Sequence, residues 1–288
     1  MDIKDLKVLG VASGFGAQTY GAQIGVWDIY YNLNKIHPNL IMDKTFSNPS
    51  SHTKLEIIPS LSALYQEFNQ YLAQIHKDKN KYLFFTGDHS NGFGIWSAVS
   101  NLYQEDLGLI WIDAHLDCHT PETSPSKNLH GMPVAHLLGF GSRILHSLIK
   151  NKLKPSNICF IGTQDYEQEE INFIDKLNIK AFYMKDIQEN NIQQVFKEAL
   201  DIVTKNTHKF GVSLDIDVMS NDCVPGTGCY TELGLQVKHI QDNLEILSAH
   251  PQFIGLEITE YNPYFDKERL TFEVIAKIVR STLKGLDF

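Results

Sequence analysis

Asp113, His115 and Asp117 alternate at the end of an apolar run, Leu109-Ile-Trp-Ile112, and Cys118, His119 and His130 follow shortly after. A second run, Phe210-Gly-Val-Ser-Leu-Asp-Ile-Asp217, ends in Asp215 and Asp217. A third, Leu83-Phe-Phe-Thr-Gly-Asp-His-Ser90, delivers His89, and a fourth, Ile254-Gly-Leu-Glu-Ile-Thr-Glu260, carries Glu257 and Glu260. A charge on the end of a buried strand is costly unless it is paired. Alternate residues of an extended segment point to one side, so Asp113, His115 and Asp117 can converge, as can Asp215 and Asp217. If the strands are neighbours, four carboxylates and two imidazoles meet. A single zinc takes fewer ligands and fewer oxygens. Six ligands with oxygen predominating fit two hard dications such as manganese, whose charge balances four carboxylates. Two ions bridged by carboxylates can hold a hydroxide as a nucleophile at neutral pH. Singly, each Asp reads as a turn former or helix cap and each His as a satisfied polar residue; the joint pattern on three segments selects the dimetal reading.

The elements that must position these side chains alternate along the chain. Short β-branched and aromatic runs at 5–12, 81–87, 107–114, 156–163, 180–186, 209–217 and 253–260 are separated by helical periodicity near 22–34, 60–77, 92–104, 133–150, 167–177, 191–206, 236–249 and 268–284. Ser60 and the turn at Pro263 read as helix starts, and 43–58 reads as a loop. Continuous apolar strands separated by helices predict a three-layer α/β/α fold with a mainly parallel central sheet. Residues 1–288 are expected to form a single domain. In such sheets ligands sit at the carboxyl ends of the strands, where the acids and histidines fall.

Composition narrows the partners. A formal net charge of −9 argues against nucleic acid and anionic membranes. No apolar run approaches a membrane span, and Met1-Asp-Ile-Lys-Asp5 leads straight into Leu6–Val11 without a signal peptide, so a cytoplasmic protein is expected. Cys118, Cys159, Cys223 and Cys229 lack CxxC spacing and read as thiols in a reducing compartment. Gly10, Gly14, Gly16, Gly21 and Gly25 match no phosphate-binding motif and read as close backbone packing. His37, His52, His76, His136, His146, His208, His239 and His250 read as surface or packing residues.

Taken together, the motifs resemble those of the ureohydrolase superfamily, which includes arginase and agmatinase. Gly87-Asp88-His89-Ser90 is similar to GGDHS with Thr86 in place of the first glycine, and Asp113–Asp117 matches DAHxD. Ser213–Asp217 matches SxDxD, Pro225–Gly228 matches PGTG, and Glu260-Tyr261-Asn262-Pro263 is similar to ExNP. The resemblance spans nearly the whole chain, and the segment Thr120–Pro133 looks like the arginase branch. It implies an arginase-like fold and two manganese ions per chain. His89, Asp113, Asp117 and Asp215 would hold one ion, and Asp113, His115, Asp215 and Asp217 the other. It implies His130, Glu260 and Asp117 as catalytic residues, with His130 moving protons and Glu260 pairing with a guanidinium. It implies His119, Ser126, Lys127, Asn128, Glu167 and Thr227 around the substrate, with Glu170 nearby. The implied reaction is attack of a metal-bridging hydroxide on a guanidino carbon, giving urea and an amine, ornithine if the substrate is arginine. The small-molecule partner would be a carboxylate-bearing guanidino compound, and the family commonly forms trimers or hexamers. Agmatine, guanidinobutyrate or formimidoylglutamate are the alternative substrates. A non-catalytic member is disfavoured because all six ligand positions are present. Three departures stand out: Ser220-Asn221 where the family has Asp-Pro, and His119 and Lys127 where arginases carry Asn and Gly. The last two would add cationic character where a substrate carboxylate would lie.

Overall fold

The computed structural model describes residues 3–48, 53–103, 107–187, 191–231 and 233–283; His52 lies outside them. The apolar runs form strands β1 (Leu6–Ala12), β2 (Met42–Ser47), β3 (Lys81–Thr86), β4 (Leu107–Ile112), β5 (Ile158–Thr163), β6 (Lys180–Tyr183), β7 (Lys209–Asp215) and β8 (Phe253–Thr259). They pair in parallel in the order β2-β1-β3-β8-β7-β4-β5-β6. Strands β3, β4, β5, β7 and β8 are apolar almost throughout because helices cover both faces. On one face, α1 (Ala22–Ile36), α7 (Ile192–Thr204), α8 (Val237–Ala249) and α9 (Leu270–Thr282) pack Val26, Val195, Leu244 and Ile275 against the sheet. On the other, α2 (Ile58–Ile75), α3 (Ser90–Tyr103) and α6 (Gln168–Leu177) contribute Phe68, Trp96 and Ile174. This is the expected three-layer α/β/α arrangement.

Four sequence expectations change. The stretch 43–58 is not all loop: Met42–Ser47 is the edge strand β2. Its half-exposed MDKTFS pattern lacks the apolar continuity of the central strands, which hid it. The span 133–150 is not one helix but α4 (Pro133–Leu137) and α5 (Arg143–His146), because Gly139 and Gly141 turn the backbone to φ 89° and 93°. Ser60 lies inside α2, which begins at Ile58 with Pro59 in its first turn. The last helix is capped by Asp266 rather than by the turn at Pro263, its carboxylate accepting from the Thr271 and Phe272 amides at 3.0 and 2.9 Å.

Strands β3, β8, β7 and β4 are the sheet's centre, and their carboxyl ends open side by side. Gly87 follows β3 where a side chain has no room: a Cβ there would lie 1.8 Å from the Ser13 carbonyl oxygen. Its own carbonyl accepts from the Glu260 amide at 2.8 Å, tying the end of β3 to the end of β8. Gly87→Ala is expected to force these backbones apart and destabilise the protein by about 1–3 kcal/mol, read as a lower denaturant midpoint at unchanged slope.

Candidate metal centre and its cavity

The side chains at the four strand ends converge, but not by strand alternation. Strand β4 ends at Ile112, before Asp113, and Asp117 sits in the left-handed region at φ 52°. Asp217 lies on a 3-10 turn after β7. The device is a turn used twice. Asp113 Oδ1 accepts the His115 amide at 2.8 Å, and Asp215 Oδ1 accepts the Asp217 amide at 3.0 Å. Each turn lets residues i and i+2 face one space. Turn former and ligand candidate are thus the same residue: Oδ1 closes each turn and Oδ2 faces His89, while Asp113 Oδ1 also lies beside the His115 ring.

His89 Nδ1 stands 3.0, 3.1 and 3.2 Å from Oδ2 of Asp113, Asp117 and Asp215. His115 Nδ1 stands 3.3 Å from Asp113 Oδ1 and 3.2 Å from Asp217 Oδ2. Neither His89 Nδ1 nor Asp117 Oδ2 has a hydrogen-bond partner, although both are buried. Polar atoms left this way need an ion or water between them. Cis ligands of an octahedral ion with bonds of about 2.1 Å lie about 3.0 Å apart, which matches these separations. The residues therefore fit a pair of hard dications.

Electrostatics point the same way. Burial and neighbouring carboxylates push Asp117 up to about 6 and Asp215 well above the usual carboxylate range. Burial also raises Asp217, against the pull of His115. Burial works to raise Asp113 too, but the nearby imidazoles of His115 and His89 outweigh it and hold that carboxyl low. Such a cluster cannot be fully ionised without cations, and a bound dication reverses the balance.

Above the cluster lies a cavity of about 500 Å³, within the range of small-molecule sites. Its wall includes His89, His115, Asp117, Asp215, Asp217, Glu260 and His130, and further out His119, Ser126, Asn128, Glu167 and Glu170. Glu260 follows β8 at φ 65°, where Oε1 accepts the His89 amide at 2.8 Å and lies 3.3 Å from His130 Nδ1. Burial would lower the His130 imidazole, but Glu260, Asp117 and Asp88 raise it to about 9. Asp88 ties the N-terminal loop to this end of the sheet through the Gly16 amide at 2.8 Å.

Two of the sequence candidates lie outside the wall. Lys127 turns its ammonium onto the Pro121 carbonyl at 2.8 Å, so it adds no charge to the cavity. Thr227 is buried behind Gly228 and Cys229, which do line it. His119 is in the wall, but its Nε2 is 2.7 Å from Glu167 Oε2 and its Nδ1 3.0 Å from Thr123 Oγ1. Glu167 and Glu170 form the capping box of α6. Burial works to raise Glu167, but its hydrogen bonds to His119 and Glu170 outweigh it and hold that carboxyl below its usual range. Burial pushes Glu170 up to about 8.

Sequence reasoning missed the floor of the site. Trp111 stacks on His89 at 4.1 Å between ring centroids and donates Nε1–H to Asp113 Oδ2 at 2.9 Å. Glu257, grouped with Glu260 in the sequence, points beneath the cluster rather than into the cavity, toward Thr86, Trp96 and Ser213. Its place inside β8, three residues before the loop acid, was the available signal.

Known proteins share this architecture. A family model described as Arginase family matches residues 4–284. An arginase of Staphylococcus aureus is 31% identical over 292 residues, covering 96% of this chain and 96% of its own. An arginase of Brevibacillus brevis is 30% identical over 297 residues, covering 96% of this chain and 97% of its own. The crystal structure of arginase from Bacillus cereus, 28% identical, superposes with a TM-score of 0.86 over 96% of this chain and 97% of that one. With a family match from residue 4 to residue 284 and relatives aligned almost end to end, the chain belongs to the arginase family of metal-dependent C–N hydrolases.

Proposed function

We propose that the chain is a binuclear manganese hydrolase that cleaves the guanidino group of arginine, or of a similar carboxylate-bearing compound, to urea and an amine. The observation that carries the reading is the six-residue cluster of His89, His115, Asp113, Asp117, Asp215 and Asp217, with its unpartnered His89 Nδ1 and Asp117 Oδ2, at the base of a cavity that also holds Glu260 and His130. His89, Asp113, Asp117 and Asp215 would hold one ion, and Asp113, His115, Asp215 and Asp217 the other. When bound, the ions supply Lewis acidity and a nucleophilic water near neutral pH. Glu260 takes the planar guanidinium and orients its carbon toward the cluster. As water adds, that carbon becomes tetrahedral and one C–N bond breaks. His130 gives its proton to the departing amine nitrogen.

At the tail end, Ser126 and Asn128 are the donors for a carboxylate, since both ring nitrogens of His119 are already engaged. The arginase names of the relatives favour arginine. A guanidino acid without an α-amino group is the second reading, favoured by one observation: Glu167, an acid suited to a second ammonium, is already paired with His119 at 2.7 Å. Urea release from arginine, agmatine and guanidinobutyrate after manganese loading tests the reading. Activity on a guanidino acid is expected, and agmatine as the best substrate would contradict it. His119→Asn is expected to free Glu167 and improve kcat/KM for arginine relative to guanidinobutyrate by about tenfold, the equivalent of one good hydrogen bond. An unchanged ratio would remove His119 from substrate selection. No helix among the described residues is long and apolar enough to cross a membrane. A single domain over 1–288, a cytoplasmic location and a trimeric or hexameric assembly belong to the same proposal, and light scattering reads the assembly.

A further inference from the structure

Beneath the cluster runs a chain of hydrogen bonds that the reaction does not touch. His89 Nε2, the ring nitrogen turned away from the carboxylates, is 2.9 Å from Ser213 Oγ. Ser213 Oγ is 2.7 Å from Glu257 Oε2. That same Oε2 receives the indole N–H of Trp96 at 2.7 Å, while Oε1 is 2.9 Å from Thr86 Oγ1. His89, Trp96, Ser213 and Glu257 are all buried. Trp96 reaches this point because residue 211 is glycine: a Cβ there would lie 2.0 Å from the indole ring.

The polarity of this chain follows from what each group can do. An indole N–H only donates, so Oε2 is held as an acceptor. If Glu257 carries a proton, the proton belongs on Oε1, where Thr86 Oγ1 can accept it. In either state Ser213 gives its hydroxyl hydrogen to Oε2. The Ser213 oxygen is then left to accept, and its remaining neighbour is His89 Nε2. We propose that Trp96 and Glu257, acting through Ser213, hold the His89 proton on Nε2 and so leave the Nδ1 lone pair bare toward Asp113, Asp117 and Asp215. Trp96, Ser213 and Glu257 are positioning residues in this scheme: none touches the cavity, and each acts through His89. The inference rests on the dication reading of the cluster, where a ligating histidine must present a lone pair. Partners on the far side of such a histidine fix its tautomer and orientation.

The scheme separates two substitutions of nearly equal size. In Glu257→Gln the amide must place its carbonyl oxygen against Trp96 and Ser213 and its NH2 against Thr86, which preserves the polarity. In Glu257→Met only a weak thioether acceptor remains, and Ser213 is free to turn its hydrogen onto His89 Nε2. The test is chelator competition for manganese ions on the full-length wild type and both variants, with thermal unfolding of the metal-free proteins as a check on folding. Glu257→Gln is expected to stay within about threefold of wild-type affinity, and Glu257→Met to lose about 10- to 100-fold. Equal losses in the two variants, or no loss in Glu257→Met, would overturn the proposal. Nitrogen-15 spectra of the histidine-labelled, zinc-loaded protein give a second reading, with the His89 signals identified by their absence in His89→Asn. A proton on Nε2 that shifts in Ser213→Ala is expected, and a proton on Nδ1 would overturn the assignment even if Glu257→Met failed to fold. If the wild type binds no dication, the metal centre itself fails, and that result appears before any variant is made.

Discussion

Asp113→Ala is expected to abolish the dinuclear centre, with elemental analysis finding fewer than two ions per chain and urea release falling by roughly 10³-fold or more. Asp113 is the junction of the cluster: Oδ2 faces His89 at 3.0 Å and Oδ1 faces His115 at 3.3 Å. Its loss removes a ligand from both proposed positions and opens the turn that holds His115. Asp215→Asn should likewise lose metal, yet the metal-free variant should be no less stable than the metal-free wild type. The sign follows from the shift. Burial and Asp217 raise the Asp215 carboxyl in the folded chain, so ionisation near pH 7 works against folding, and a neutral amide removes that cost. Retention of two ions in Asp113→Ala would sink the bridging assignment. A large loss of stability in metal-free Asp215→Asn would mean that its carboxylate is structural.

His130→Asn is expected to keep both ions and the fold while turnover falls by roughly 10²–10⁴-fold. The imidazole is in the cavity wall, 3.3 Å from Glu260 Oε1, and Glu260, Asp117 and Asp88 favour its protonated form. An Asn fits the space but cannot carry the proton. Exogenous imidazole is expected to restore part of the rate, because the wall beside Gly131 opens onto the cavity. Undiminished turnover, with metal content equal to wild type, would reduce His130 to a packing residue of its loop.

The candidate site was legible where its residues are marked by type. Four carboxylates and two histidines at the ends of apolar runs could be found from the sequence, because strands covered on both faces leave an unbroken apolar signature up to their ends. Why they converge was not legible. Alternation along a strand would have placed Asp113, His115 and Asp117 on one side, whereas the chain has already left β4 and uses an Asx turn and a left-handed residue instead. Sequence periodicity does not register such turns. The tail end of the cavity was read least well. By residue type Lys127 brings charge to the substrate, but its φ of 61° and its bond to Pro121 turn it away. His119 finds Glu167 across 48 positions of sequence, a pairing that no local pattern announces. The link between Glu257 and Trp96 was hidden for the same reason: their partners come from four different elements.

The decisive experiment on the dinuclear centre is to titrate urea release from arginine against manganese added to the metal-free protein. No activity is expected without metal, followed by a rise that breaks at two ions per chain. Activity that persists after chelation, or that saturates at one ion per chain, would contradict it.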